Sequence, residues 1–160
     1  MLNFLKMKKH EVPQHNENLL NGIKEIQYAV DEDGKYTKVK SYGWKPKNDA
    51  LKQAISLLDE QIEDARQEVL KGNKSPVWFY MNLKQMDFTI LKQSTGFSKI
   101  KIKSHCKNKV FNKLKEKVLI RYAEAFDISI IELLKIPEKP VDSLEYNFDF
   151  KIQNNNSDKI

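Results

Sequence analysis

The amino-acid sequence predicts a mainly α-helical protein with one β-hairpin near its start. Three observations support this fold class. Apolar residues recur at helical spacing over 48–71, short segments with helix-capping residues follow one another over 76–136, and Asp33-Gly34 separates two stretches rich in β-branched and aromatic residues. The chain has 160 residues, of which 40% are hydrophobic. This is enough for one domain with a modest core and tails.

The first segments are predicted to be an arm, a hairpin and a connector. Residues 1–25 are polar and weakly patterned, which predicts a flexible N-terminal arm. Residues 26–40 predict a β-hairpin, because the aspartate–glycine pair suits its tight turn. In the connector 41–47 we expect Trp44 to anchor the chain in the core.

A long acidic helix is predicted over 48–71, with Asn48 as its N-cap and Gly72-Asn73 at its end. Its apolar residues alternate at spacings of four and three, which is a heptad seam, and its outer face is largely acidic. Such a seam can pack inside its own domain or join two chains in a homodimer, and both interpretations stay open. The seam consists of Leu51, Ile55, Leu58, Ile62, Ala65 and Val69. We predict that the hairpin and this helix together form one region of the chain, residues 26–75, ahead of the helical region 76–136.

The positive charge is concentrated in one part of the chain. The formal net charge is +6, but the window 71–121 holds thirteen lysine or arginine residues against Asp87 and Glu116, a net +11. The remainder, with fifteen basic and twenty acidic residues, carries −5. A concentrated basic patch is typical of nucleic-acid binding, and a merely solubilising lysine-rich surface is the alternative.

Two helices joined by a glycine turn are predicted inside this basic window. A helix through Leu91 ends at Gly96, where a residue free to take positive φ lets the chain turn sharply. Phe97 would fill the gap between the helices, and Ser98 is suited to cap the next one. On that second helix the inward positions are apolar and the outward positions are mostly lysines, an arrangement typical of a helix-turn-helix.

Over residues 76–136 the chain resembles the Cro/phage-repressor-type (Xre-like) helix-turn-helix family. The spacing of Leu91, Gly96, Ser98 and Ile102 carries this resemblance, as does the stretch 118–134, which is similar to the family's fourth and fifth helices. The rest of the chain is similar only to small uncharacterised bacterial proteins. The resemblance implies a five-helix bundle, preceded here by the hairpin and the acidic helix, whose third helix enters the major groove of DNA.

The resemblance also implies a set of DNA-binding residues. Four of them match positions that contact bases or phosphates in the family, and three further lysines would add phosphate contacts whose affinity depends on salt. The first four are Ser98, Lys99, Ile100 and Ser104, and the added lysines are Lys101, Lys103 and Lys107.

The leading functional hypothesis is double-stranded DNA binding by a bacterial, cytoplasmic transcriptional regulator that works as a dimer. The alternative is a protein-interaction module, antitoxin- or phage-accessory-like, with a decayed helix-turn-helix. It would use the acidic helix and a predicted strand, Tyr146–Phe150, and it would explain why Lys92 stands where the family usually has alanine. RNA binding through the same lysines is a third hypothesis.

Several classes of function are excluded by the sequence. A single cysteine, Cys106, allows neither an internal disulfide framework nor a multi-cysteine zinc site. Its neighbour His105 diverges from it by about 100° on a helix, so the two cannot form a nucleophile–base pair. No glycine-rich phosphate loop, signal peptide or membrane-spanning run is present, so we expect no enzyme, cofactor, metal or membrane anchor. Residues 137–160 are predicted to be a linker and mobile tail.

Overall fold

The computed structural model describes residues 7–15, 24–143 and 146. Within these residues the chain is mainly helical, with an antiparallel two-stranded hairpin before the helices, which confirms the predicted fold class at that level. The chain divides into two compact units, of which unit 1 ends at Ser56 and unit 2 begins at Leu57. The sequence instead predicts divisions after residues 25, 75 and 136. The elements are a 3-10 helix (Lys9–Glu11), β1 (Glu25–Val30), β2 (Tyr36–Ser41), α1 (Lys45–Leu70), α2 (Pro76–Leu83), α3 (Phe88–Thr95), α4 (Lys99–His105), α5 (Asn108–Phe111), α6 (Glu116–Phe126) and α7 (Ile130–Leu134).

The predicted hairpin is confirmed in unit 1. β1 and β2 pair in antiparallel register from Glu25 opposite Ser41 to Val30 opposite Tyr36. The turn between them is closed by the Asp31 carboxylate, which accepts hydrogen bonds from the backbone amides of residues 33 and 35 at 3.1 and 2.8 Å. Gly34 has φ +78°, a conformation in which an L side chain would be strained.

Part of the segment predicted to be an N-terminal arm lies along this hairpin. Lys8 forms a parallel bridge with Val30, and Gln14 forms one with Gly43. Val12, between these two bridges, is buried. The rest of the predicted arm, residues 1–6 and 16–23, lies outside the described residues.

The prediction that Asn48 caps the long helix is wrong. α1 already begins at Lys45, and the Asn48 amide donates to the Trp44 carbonyl oxygen at 3.0 Å. The Asn48 side chain is buried and donates instead to the Tyr42 carbonyl oxygen at 3.2 Å. Pro46, which is tolerated in a first helical turn because its missing N–H would have no helical partner, is the signal for the earlier start. Trp44, predicted to be an anchor, is about half exposed.

The C-terminal half of the α1 heptad seam packs against the core of unit 2. Ile62 and Ala65 are buried, and Leu58 and Val69 pack against the same core cluster. This part of the predicted homodimer surface is therefore already covered by the chain's own core, as the intradomain interpretation expects. The remaining two seam residues, Leu51 and Ile55, are half-buried and belong to unit 1.

The core of unit 2 combines side chains from each of α2 to α7 with Ile62 of α1. The predicted helix boundaries are confirmed at Gly96 and at Ser98. α7 begins after Ser129, whose hydroxyl and the Glu132 carboxylate form a reciprocal capping box. The short helix α5 was not predicted. The largest fully buried apolar side chains are those of Ile62, Phe79, Leu83, Leu91, Ile102, Tyr122, Phe126 and Leu133.

The described part of the segment predicted to be a linker and tail is bound to α1. The buried Arg66 guanidinium donates to the Glu138 carbonyl oxygen at 2.6 Å and to the Glu63 carboxylate at 2.7 and 2.8 Å, which holds the pKa of Glu63 below its usual value. The Ser143 amide donates to the Asp59 carboxylate at 3.0 Å. Tyr146 lies in a helical turn and packs against the core, not in the predicted strand, whose remaining residues 147–150 lie outside the described part.

Candidate nucleic-acid interface

The turn between α3 and α4 is closed by local hydrogen bonds. Asp87 caps α3 by accepting from the amides of Thr89 and Ile90, both at 2.7 Å, and these bonds lower the pKa of its carboxyl group. Gly96 ends α3 with φ +72°, in the left-handed region. Ser98 then caps α4 by accepting from the Lys101 amide at 3.3 Å. Three residues therefore suffice to reverse the chain between the two helices.

Phe97, at the centre of this turn, lies below the surface with only 7% of its area exposed. Its ring packs edge-on against His105, with centroids 5.8 Å apart, and is tilted against Tyr122 at 5.5 Å. Two cations lie over the ring, the Lys101 ammonium at 4.8 Å and the Arg121 guanidinium at 5.5 Å. Phe97 therefore fills the gap between α3 and α4 as predicted, and it also contacts Tyr122 of α6.

The inner side of α4 is held by buried contacts. Ile102, His105 and Cys106 are all buried. At the C-terminal end of the helix, the Ser75 hydroxyl donates to the His105 carbonyl oxygen at 2.7 Å, and the Ser75 amide donates to the Cys106 carbonyl oxygen at 2.9 Å. These contacts determine which side of α4 faces outward.

The outward side of α4 carries most of the residues predicted to bind DNA. Ile100, in the first turn of the helix, is 83% exposed. Lys99 and Lys103 flank it and are exposed, Ser104 is half-buried, and Lys107 is exposed just after the helix, at the start of α5. Ser98 is exposed as well, although its hydroxyl oxygen already accepts the capping hydrogen bond. Lys101 differs from the others because its ammonium lies over the Phe97 ring, beside the turn.

Two residues of α3 position these lysines and were not predicted to do so. The Lys99 ammonium donates to the Thr89 hydroxyl at 2.7 Å, and the Lys103 ammonium lies 5.4 Å from the centre of the Phe88 ring. Phe88 itself packs against Trp78 of α2 at 6.4 Å. These contacts cross the turn between residues ten to fifteen positions apart, so no local sequence pattern indicates them.

His105 and Cys106, at the end of α4, are buried side chains. The Nδ1 atom of His105 lies 2.9 Å from the Tyr122 hydroxyl, and burial together with the nearby Lys101 charge lowers the pKa of the imidazole. Burial raises the pKa of the Cys106 thiol to about 11, so the thiol stays protonated and unreactive near neutral pH.

The lowered pKa of His105 predicts that unit 2 loses stability as the pH falls through the histidine range. As the pH drops below about 6.5, the unfolded chain binds the proton first, because its imidazole is unperturbed, and folding becomes less favourable. Thermal unfolding midpoints should therefore decrease between about pH 7 and pH 5. The His105→Gln variant should lose this part of the dependence, and an equal slope in both proteins would contradict the assignment. The carboxyl groups with lowered pKa, such as Glu63 and Asp87, act in the same direction only at lower pH.

Among the residues that the structure describes, no three histidine, cysteine, aspartate or glutamate side chains are grouped so that they could hold a metal ion. None of the described helices is long and apolar enough to cross a membrane. Comparison with known proteins finds no matching family model, no matching curated protein and no matching solved structure.

Proposed function

We propose that unit 2 binds double-stranded DNA by placing α4 in the major groove, and that the protein acts as a transcriptional regulator. The observation that carries this proposal is the exposed side of α4, which presents Ile100 together with Lys99, Lys103 and, just beyond the helix, Lys107 to solvent. A helix of about 10–12 Å diameter fits the major groove, which is about 12 Å wide. The glycine turn and the buried contacts of Phe97 support the proposal, because they hold α4 against α3 in a fixed orientation.

The charge around α4 suits a phosphate backbone. The window 71–121 carries a net charge of +11, and its two carboxylates, Asp87 and Glu116, lie at the first turns of α3 and α6 and not on α4. The ammonium groups of Lys99 and Lys103 are held by Thr89 and Phe88, which limits the conformational entropy they would lose on binding. This arrangement favours salt-dependent binding through several phosphate contacts.

Ile100 gives the proposed site a preference among bases. An aliphatic side chain offers no hydrogen bond to a base edge, but it can contact the methyl group of thymine in the major groove. We therefore expect sites with thymine near the centre of the contact. The lysines on either side can donate to guanine O6 and N7 or to phosphates.

The alternative of a protein-interaction module would use the acidic helix and the segment 146–150. Ile62 of that helix is buried in the core of unit 2, and Leu58 and Tyr146 pack against the same core. Replacing Leu58 or Ile62 would therefore weaken the fold whether or not a partner binds, so such substitutions cannot distinguish the two hypotheses.

The test is duplex DNA binding over a range of salt concentrations, with the wild type beside a Lys99→Ala/Lys103→Ala variant. We expect the logarithm of the affinity to fall linearly with the logarithm of the salt concentration between about 50 and 200 mM. The double variant should lose about two units of that slope, because each phosphate contact contributes about 0.9. Both side chains are exposed, so the substitutions should leave the stability within about 0.5 kcal/mol.

The matched control is Lys135→Ala/Lys139→Ala, which removes two exposed lysines outside the basic window. Its salt slope should stay near that of the wild type. Absence of duplex binding, or equal slopes for the two double variants, would refute the assignment of α4 as the DNA-binding element.

A further inference from the structure

The hairpin of unit 1 exposes its large apolar side chains and covers its small ones. Because side chains alternate along a strand, the even-numbered residues of β1 and β2 share one face. On that face Ile26, Tyr28 and Tyr36 are 60%, 65% and 67% exposed. On the opposite face, Ala29 and Ser41 are buried. Exposed aromatic and aliphatic side chains gathered on one face mark a binding surface.

Lysines lie among the tyrosines at the even-numbered positions of the hairpin. Lys38 lies opposite Tyr28 in the register, with its ammonium 5.9 Å from the centre of the ring, and the Lys24 ammonium lies 4.4 Å from the ring of Tyr42. The even-numbered positions over 24–30 and 36–42 include no aspartate or glutamate. We call this surface the tyrosine–lysine face; it comprises Lys24, Tyr28, Tyr36, Lys38, Lys40 and Tyr42.

We propose that the tyrosine–lysine face binds single-stranded DNA. Unpaired bases can stack on exposed tyrosine rings, while neighbouring lysines neutralise the phosphates between those bases. Lys38 and Lys40 stand about 7 Å apart along β2, since each residue advances the strand by about 3.4 Å, so both can follow one extended backbone. This proposal goes beyond the duplex-binding function, which concerns unit 2 alone.

The charge and chemistry of the face favour this occupant over others. A second copy stacked face to face would bring two sets of three lysines together without a carboxylate between them. A duplex keeps its bases stacked internally, so the tyrosine rings would have nothing to stack on. The carboxylates of residues 31–33 at the turn repel phosphates and direct the strand toward the end with Lys24 and Tyr42.

The experiment measures binding of the full chain to a labelled oligothymidylate of about 15 nucleotides by fluorescence anisotropy. A Tyr28→Ala/Tyr36→Ala variant should bind at least about fivefold more weakly than the wild type, whereas Tyr28→Phe/Tyr36→Phe, which keeps both rings, should stay close to it. A Lys38→Ala/Lys40→Ala variant should lose about 1.4 units of salt slope, because each phosphate contact with a single strand contributes about 0.7. Circular dichroism checks that each variant retains its fold.

The controls separate this site from α4. The Lys99→Ala/Lys103→Ala variant should bind the oligothymidylate as the wild type does, even if it loses duplex binding, and the tyrosine variants should bind duplex normally. The proposal is overturned if the wild type does not bind the oligothymidylate or if the Tyr28→Ala/Tyr36→Ala variant binds it as tightly as the wild type does. It is also overturned if the Lys99→Ala/Lys103→Ala variant no longer binds the oligothymidylate. Tighter binding of oligouridylate, binding to anionic lipid vesicles that depends on Tyr28, or a dimer that depends on Tyr28 in light scattering would also overturn it.

Discussion

Replacing Phe97 with alanine is expected to destabilise unit 2 by about 3–5 kcal/mol. The ring fills the turn between α3 and α4 and contacts His105 and Tyr122, so its removal leaves a cavity where three elements meet. The substitution also removes the aromatic face under the Lys101 ammonium and the Arg121 guanidinium. Urea unfolding followed by far-ultraviolet circular dichroism would measure the loss as a lower midpoint with an unchanged slope.

The matched control for Phe97 is Ile100, three residues further along the same motif. Its side chain is almost fully exposed, so Ile100→Ala should change stability by no more than about 0.5 kcal/mol. If Phe97→Ala unfolds at the same urea concentration as Ile100→Ala, the ring does not fill the turn as described. Ile100→Ala should instead reduce the preference for thymine-containing duplexes.

Replacing Ile62 with alanine is expected to cost about 2–5 kcal/mol, because the side chain is 1% exposed and belongs to the core of unit 2. The same substitution at Leu57, which is 51% exposed on the same helix, should cost no more than about 0.5 kcal/mol. Denaturant unfolding of both variants provides the comparison. A much larger loss of stability for Ile62→Ala than for Leu57→Ala would show that the seam residue Ile62 stabilises the core of unit 2.

The concentration dependence of the same experiment distinguishes an intradomain seam from a dimer seam. A core residue lowers the unfolding midpoint equally at all protein concentrations, whereas loss of an interface contact changes how the midpoint depends on concentration. We expect midpoints for the wild type and for Ile62→Ala that do not change with dilution. A midpoint that falls on dilution in the wild type but not in the variant would restore the dimer seam.

The elements that were predicted correctly have local causes. Gly96 ends α3 because glycine takes positive φ without strain, and Ser98 and Ser129 begin helices because their hydroxyls accept from backbone amides three residues ahead. In the hairpin, Asp31 and Gly34 form the turn through contacts within five residues. Such contacts involve only neighbours in the chain, so the sequence alone indicates them.

The start of α1 was misplaced because two local signals competed. Asn48 has a side chain suited to an N-cap, but Pro46 favours a first helical turn three residues earlier. In the structure the Asn48 side chain is buried and bonded to the Tyr42 carbonyl oxygen, so it does not cap the helix. Propensity was therefore overridden by packing within unit 1.

By itself the sequence determined the hairpin, most of the helices, the turn at Gly96 and the concentration of positive charge around α4. Only the tertiary structure decided that Ile62 of the heptad seam faces the core of its own unit and that Arg66 binds the carbonyl oxygen of Glu138. It also decided that the Lys101 ammonium lies over Phe97, whereas the Lys99 ammonium donates to the Thr89 hydroxyl. The physical reason is the range of the contacts. Capping and turn conformations depend on residues a few positions apart, whereas the partner of an apolar stripe or a long cation depends on which distant segments fold against it.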